Sequence, residues 1–208
     1  MHLNENLDFE KISYGLQQGS IVVVDNFFKE EAASFLRNRM LNSKTFQDYY
    51  NGYQAIDYHY SKDQFTTELA DEIIKKISIL DKFQRAWSFI YENKCKGVYF
   101  HADPSSINLN VWVSKNSSVE DFNENGLTIT KLKPPKDWTR EQWNQNKDNC
   151  IFKYLLEQNP KFEIIKYNYN RAIFFDGAYF HRSANVNMKE GHENKRVSYT
   201  MLFGRTLE

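Results

Sequence analysis

Two histidines and one aspartate have the side-chain types and spacing of a metal site. His101 and Asp103 are separated by one residue, and side chains at positions i and i+2 of a strand point to the same face. His181 follows an aromatic strand-like run and a turn at Gly177, so a second histidine could enter the same site. Two histidines and one carboxylate bind one face of an iron(II) ion and leave its other coordination positions open.

Each of these residues also has a simpler interpretation when it is taken alone. A strand-end His101 hydrogen-bonded to Asp103, in a turn before Pro104, needs no metal. A single histidine such as His181 is compatible with a partly buried core position. His192 is an alternative second histidine, although it lies in a polar loop.

A candidate anion site lies near the end of the sequence. Arg196, Ser198 and Thr200 share one face of a predicted strand, whereas the residues between them are apolar. An arginine with a hydroxyl two residues further on can bind a carboxylate through a two-pronged salt bridge and one hydrogen bond. A surface arginine on an edge strand is the alternative interpretation, and Lys195 and Arg182 are alternative cations.

The elements that would position these residues are mostly strands. Hydrophobic periodicity predicts helices over residues 28–40 and 63–80. The predicted strands cover 20–24, 86–91, 96–101, 107–114, 127–130, 162–167, 171–176 and 196–203. Helices followed by many short strands indicate an α+β fold with a sandwich, jelly roll or small barrel. The 208 residues fit one domain, 1–208.

Two segments interrupt this pattern. A polar insertion or lid is predicted at 131–160, where Thr139 and Gln142 have the spacing of a helix capping box. The aromatic segment from Tyr49 to Tyr60 could form one wall of a pocket, or could simply pack against the helices.

Composition excludes some classes of partner. Lys plus Arg equals Asp plus Glu, at 27 each, which argues against a nucleic-acid polymer. The polar, acidic N-terminus does not resemble a signal peptide, and the run of residues 21–24 is too short to span a membrane. Cys95 and Cys150 have no metal-type spacing and are interpreted as free thiols. These features predict a cytoplasmic protein that does not bind membranes.

The combined order of motifs is more specific than any single residue. The sequence "HADPSSINLNVWV", together with "NRAIFFDGAYFHRS" and "GHENKRVSYTMLFG", resembles the iron(II)/2-oxoglutarate-dependent dioxygenase superfamily. The segment "SIVVVDNFFKEEAASFL" resembles the strand and following helix with which the domain begins in the prolyl-hydroxylase-like branch. The other motifs are similar to a small, largely uncharacterised bacterial subgroup. The resemblance implies a double-stranded β-helix (a cupin-like jelly roll) flanked by N-terminal helices.

The resemblance also implies roles for individual residues. His101, Asp103 and His181 would bind Fe(II), and Arg196 would bind the C5 carboxylate of 2-oxoglutarate with help from Ser198. Asn110 is a further candidate contact for co-substrate or substrate. The implied reaction couples decarboxylation of 2-oxoglutarate by O2 to hydroxylation of an amino acid, a peptide or carrier-bound side chain, or a small metabolite.

One observation bears on the type of reaction, and two other functions stay open. Related halogenases lack the carboxylate ligand, so the presence of Asp103 favours hydroxylation. The alternatives are a non-catalytic jelly-roll binding module and a cupin-like iron enzyme that does not use 2-oxoglutarate.

Overall fold

The computed structural model describes residues 1–43, 48–50, 52–58 and 63–204. Three helices, α1 (Phe9–Gln17), α2 (Glu30–Leu41) and α3 (Gln64–Lys76), precede most of the strands, and α4 (Arg140–Gln145) and α5 (Cys150–Gln158) lie in the insertion. The strands are β1 (Val22–Val24), β2 (Asp48–Tyr50), β3 (Tyr53–Tyr58), β4 (Phe83–Tyr91), β5 (Lys94–Cys95), β6 (Ile107–Trp112), β7 (Leu127–Ile129), β8 (Glu163–Ile165), β9 (Arg171–Phe175), β10 (His181–Ser183), β11 (Val186–Asn187) and β12 (Val197–Phe203).

The strands form two facing layers. The larger layer is a seven-stranded antiparallel sheet in the order β1-β9-β6-β12-β4-β3-β2. The smaller layer combines the three-stranded sheet β10-β7-β8 with the pair β11-β5. Trp112 and Phe175 of the larger layer pack in one cluster with Leu127 and Ile129 of the smaller layer. The predicted α+β fold with a double-stranded β-helix core is confirmed.

Strand β12 shows how the sequence pattern separates the two sides of the large sheet. All seven of its residues are buried. Tyr199 and Met201 pack in the same cluster as Leu36 of α2 and Leu69 of α3, so this side is the helix-covered core. Ser198 and the other residues in phase with it therefore face the smaller layer.

Several elements differ from the sequence prediction: β10 and β11 were not predicted, and the helix predicted over 63–80 ends at Lys76. Helix α1 was not predicted, although Asp8 caps it by accepting a hydrogen bond from the Lys11 backbone N–H at 2.9 Å. The strand predicted at 96–101 is wrong, because only β5 and a single bridge at His101 have strand pairing in this region. Among the described helices, none is long and apolar enough to cross a membrane.

The aromatic segment from Tyr49 to Tyr60, for which a pocket wall and simple packing were both left open, contains the hairpin of β2 and β3 at one edge of the large sheet. Tyr53 lies against Phe89 and Tyr91 of β4, with ring centroids 5.1 and 5.5 Å apart. Residues 51, 59 and 60 of this segment lie outside the described residues.

Candidate metal centre

The three candidate ligands meet between the two layers. His101 and His181 form an antiparallel bridge, in which each backbone N–H donates to the other residue's carbonyl at 3.0 and 2.9 Å. Their ring centroids are 4.2 Å apart. One potential ligand atom from each histidine and one from Asp103 all lie within 4.8 Å of one another. The backbone bridge therefore fixes the spacing of the two rings, and Asp103 completes the cluster.

Hydrogen bonds orient each ligand toward the centre of the cluster. His101 Nδ1 contacts the Tyr99 carbonyl at 2.8 Å, and His181 Nδ1 contacts the Tyr179 carbonyl at 2.9 Å. A carbonyl only accepts, so both Nδ1 atoms carry a proton, and Nε2 of each ring is the atom available to bind a metal. Asp103 Oδ2 accepts from Asn108 Nδ2 at 2.6 Å, which fixes the carboxylate.

The electrostatics of the cluster favour the forms that bind metal. Burial lowers the pKa of His101 to about 4, and the neighbouring His181 acts in the same direction. Burial alone would raise the pKa of Asp103, but its contacts with the two histidines and with Asn108 outweigh burial and lower this pKa to about 2. At neutral pH the cluster therefore contains a neutral His101 and a carboxylate, as metal ligation requires.

The peptide that carries His101 and Asp103 is held by three different segments. His101 N–H donates to His181, Ala102 N–H donates to the Trp143 carbonyl at 2.9 Å, and Asp103 N–H donates to the Gly177 carbonyl at 2.8 Å. Consecutive residues with partners on separate segments cannot form a regular strand, so the strand pairing at His101 does not continue through Ala102 and Asp103. Gly177 is needed at this position because a Cβ there would collide with the side chain and carbonyl of Ser105.

The insertion supplies one of these partners. In helix α4, Asn144 Nδ2 also donates to the Ala102 carbonyl at 2.8 Å. Both the backbone N–H and the backbone carbonyl of Ala102 therefore bond to α4. Trp143 packs with Ile151, Leu155 and Phe180 behind this peptide. The capping box predicted at Thr139 and Gln142 is present at the start of α4.

Replacing Asn144 with Asp is expected to raise the Kd for a divalent metal about tenfold, which is the lower end of the effect of a residue that orients ligands. The substitution keeps the size of the side chain but replaces the donating amide with a carboxylate, which cannot donate to the Ala102 carbonyl and is repelled by it. Calorimetric titration with Co²⁺ measures the change. Asn42→Asp is the matched control, since Asn42 also donates to a backbone carbonyl, that of Asn38, at a distant exposed helix end. An unchanged Kd in the Asn144 variant would show that α4 does not position the ligands.

The predicted anion site lies in the same cavity. Arg196 is 1% exposed, and its Nε and Nη1 atoms have no hydrogen-bond partner within the described part of the chain. Its guanidinium lies 4.6 Å from the ring centroid of Tyr91 and 5.6 Å from that of Trp112. Leaving a buried charged donor without a partner costs at least about 1–3 kcal/mol. The aromatic rings offset part of this cost, and an anionic ligand would offset the rest.

The remaining polar residues of this region come from β12 and β6. Ser198 lines the cavity beside Arg196. Thr200 Oγ1 donates to Asn110 Oδ1 at 2.5 Å, so the Asn110 amide nitrogen is the group left to donate to a ligand. One cavity is lined by all six of the predicted site residues, His101, Asp103, His181, Arg196, Ser198 and Asn110.

The alternative residues lie elsewhere. Lys195 Nζ forms an ion pair with Glu92 at 3.0 Å, and the exposed Arg182 lies over the ring of Phe100. His192 Nε2 contacts a backbone carbonyl of α2 at 2.8 Å. None of Lys195, Arg182 and His192 lines the cavity as the described residues define it.

Sequence reasoning did not identify every residue of the site. Asn108 shares one face of the predicted strand at 107–114 with Asn110 and was given no role, whereas in the structure it donates a hydrogen bond to Asp103. The alternation along β6 indicates only that the two asparagines share a face of the strand. The contacts of Trp143 and Asn144 had no sequence signal, because they join residues about 40 positions apart.

The chain has no matching family model. No curated protein is similar to it in sequence. Its structure, however, is similar to several solved structures. HygX from Streptomyces hygroscopicus, solved with nickel and 2-oxoglutarate, matches with a TM-score of 0.66 and 11% identity over 97% of this chain and 88% of that chain.

Two further structures have the same architecture. The non-heme alpha-ketoglutarate-dependent epimerase SnoN from nogalamycin biosynthesis has a TM-score of 0.66 and 13% identity over 95% of this chain and 83% of its own. A Pseudomonas putida prolyl-4-hydroxylase has a TM-score of 0.62 and 10% identity over 95% of this chain and 98% of its own. The chain therefore has the double-stranded β-helix fold of 2-oxoglutarate-dependent non-haem iron oxygenases, including the prolyl-hydroxylase type.

Proposed function

We propose that this protein is a non-haem iron(II)- and 2-oxoglutarate-dependent dioxygenase that hydroxylates a small molecule. One observation carries the proposal: a cluster of two histidines and one aspartate shares a cavity with Arg196, a buried arginine whose Nε and Nη1 atoms have no partner in the described chain. The metal ligands alone would fit several metalloenzymes, and the arginine alone would fit many anion sites. Their combination fits a co-substrate that binds both.

The cluster fits iron(II) better than a structural metal. Structural zinc sites normally have four protein ligands, whereas the described residues supply three, His101, Asp103 and His181. Two histidines and one carboxylate leave coordination positions for 2-oxoglutarate and O2. Bound iron would couple decarboxylation of 2-oxoglutarate to oxidation of a C–H bond, with succinate and carbon dioxide as by-products.

The protein's own residues would bind and orient the co-substrate. Arg196 and Ser198 would hold the C5 carboxylate, because a guanidinium and a hydroxyl two residues apart match its oxygens. Tyr91 and Trp112 flank the guanidinium and exclude water from this ion pair. Asn110, fixed by Thr200, would donate a hydrogen bond to the co-substrate or the substrate.

A small-molecule substrate is supported by two of the similar structures. HygX was solved with hygromycin B, and SnoN with nogalamycin RO. A peptide-like substrate is the second candidate, since a prolyl-4-hydroxylase has the same fold.

We also propose that the enzyme works in the cytoplasm, since its two cysteines are free thiols, and that no nucleic-acid polymer is its substrate.

Succinate formation tests the proposal. We expect anaerobically purified protein given Fe²⁺ and 2-oxoglutarate to form succinate slowly when O2 is admitted, and to form none when either component is left out. Metal binding without 2-oxoglutarate binding would instead favour a cupin-like iron enzyme. Absence of metal binding would favour a non-catalytic module.

A further inference from the structure

The side of the cavity formed by β4 is aromatic. Trp87, Phe89 and Tyr91 occupy alternate positions of β4 and all line the cavity. In the sheet, Trp87 is the direct neighbour of Thr200, and Phe89 is the direct neighbour of Ser198. Tyr53 packs edge-on against Phe89 and extends this surface. We name Tyr53, Trp87 and Phe89 the aromatic wall.

The aromatic wall lies beside the residues that would bind iron and 2-oxoglutarate but is not needed for either. Within the described residues, the only ionisable side chains lining the cavity besides the tyrosine are the three metal ligands and Arg196. If those four are engaged by metal and co-substrate, no charged side chain among the described residues that line the cavity remains to bind a substrate through an ion pair.

The indole of Trp87 provides the one directional group of the wall. Its Nε1 atom is buried and has no hydrogen-bond partner within the described structure. An indole N–H can only donate, and a buried donor without an acceptor is unfavourable. The guanidinium of Arg85 lies 5.2 Å from the ring centroid and packs on the indole. A ligand acceptor in the cavity would satisfy this N–H.

Further tyrosine surface continues outward from the wall. Tyr50 stacks on Tyr53 with centroids 4.8 Å apart and an interplanar angle of 14°, and Tyr50 is 49% exposed. Flat aromatic faces bind other rings through offset stacking or edge contacts. An aromatic path therefore leads from solvent to the cavity.

We propose that the aromatic wall is the subsite for the primary substrate, and that the substrate presents an uncharged ring with an oxygen acceptor for Trp87 Nε1. This inference rests on the proposed function, because it assumes that Arg196 and the metal ligands are already engaged. The ring would pack on Phe89 and Trp87, and the acceptor would fix which edge of the ring lies near the metal.

The test uses the four tryptophan indole N–H signals of the protein in ¹H–¹⁵N spectra of the Zn²⁺- and 2-oxoglutarate-loaded chain. The spectrum of the Trp87→Phe variant assigns the Trp87 signal. Acetophenone is the probe, ethylbenzene lacks its acceptor, and benzoate carries a charge. We expect acetophenone to bind and to shift the Trp87 signal downfield. Ethylbenzene should bind more weakly without that shift, and benzoate weakest.

Trp87→Phe should raise the Kd of acetophenone about fivefold, the effect of one neutral hydrogen bond, and leave that of ethylbenzene unchanged. Trp138→Phe is the matched control, because Trp138 packs against Tyr154 in the insertion. Equal binding of acetophenone and ethylbenzene, no binding of either, or an unmoved Trp87 signal would overturn the proposal. A separate titration with 2-oxoglutarate distinguishes this result from failure of the proposed function.

Discussion

Asp103→Ala is expected to abolish iron-dependent succinate formation and to raise the Kd for divalent metal by more than about 100-fold. Even residues that only orient ligands change metal affinity by about 10–100-fold, and Asp103 is the sole carboxylate of the cluster. Its loss also leaves Asn108 Nδ2 without its acceptor at 2.6 Å. The measurements are succinate release and calorimetric titration with Co²⁺.

An exposed aspartate controls for the change of charge. Asp137 lies on the surface of the insertion, and Asp137→Ala should leave both quantities within about twofold, as for most surface substitutions. If the Asp103 variant kept a tenth of the turnover or more, Asp103 would not be a metal ligand.

Arg196→Met is expected to have opposite effects on ligand binding and on the stability of the ligand-free protein. Truncating one partner of a buried charge pair costs about 2–5 kcal/mol, so the Kd for 2-oxoglutarate should rise at least about 30-fold. In the absence of ligand, methionine removes a buried guanidinium whose Nε and Nη1 atoms have no partner in the described chain. The free energy of unfolding should then increase by about 1 kcal/mol, and Tm by roughly 2–4 °C for a domain of this size.

The two measurements are a 2-oxoglutarate titration and thermal unfolding of the metal-free protein. Lys195→Met is the matched control, because the neighbouring Lys195 pairs with Glu92 outside the cavity and a surface ion pair contributes about 0–1 kcal/mol. Unchanged 2-oxoglutarate affinity would remove Arg196 from the site. A large loss of stability would show that the guanidinium supports the fold instead.

The fold and the centre of the site could be predicted from local sequence patterns. The alternation along β12 separates Ser198 and Thr200 from Tyr199 and Met201, and the structure places these pairs on opposite sides of the sheet. Such alternation is a property of neighbouring residues, so it can be read from the sequence alone.

The supporting contacts could not be predicted in this way. The turn at residues 104–106 separates His101 and Asp103 from β6, so no periodicity carries across it to show that Asn108 reaches Asp103. The hydrogen bonds between Ala102 and α4 join residues about 40 positions apart. The sequence pattern that predicts the start of α4 does not indicate which segment the helix contacts. The extent of a single domain over 1–208 stays a prediction.

The two hydrogen bonds between α4 and the backbone of Ala102 should constrain how this protein can diverge. A chain that lost α4 would leave an N–H and a carbonyl unpaired at Ala102, which is fully buried, at about 1–3 kcal/mol each. In the part of the chain that the structure describes, helix α5 makes no hydrogen bond to the segment from His101 to Asp103. Its Phe152 and Leu156 are 60% and 66% exposed. Within one insertion, we therefore expect α4 to be retained together with the metal ligands, while the outer surface of α5 tolerates substitution.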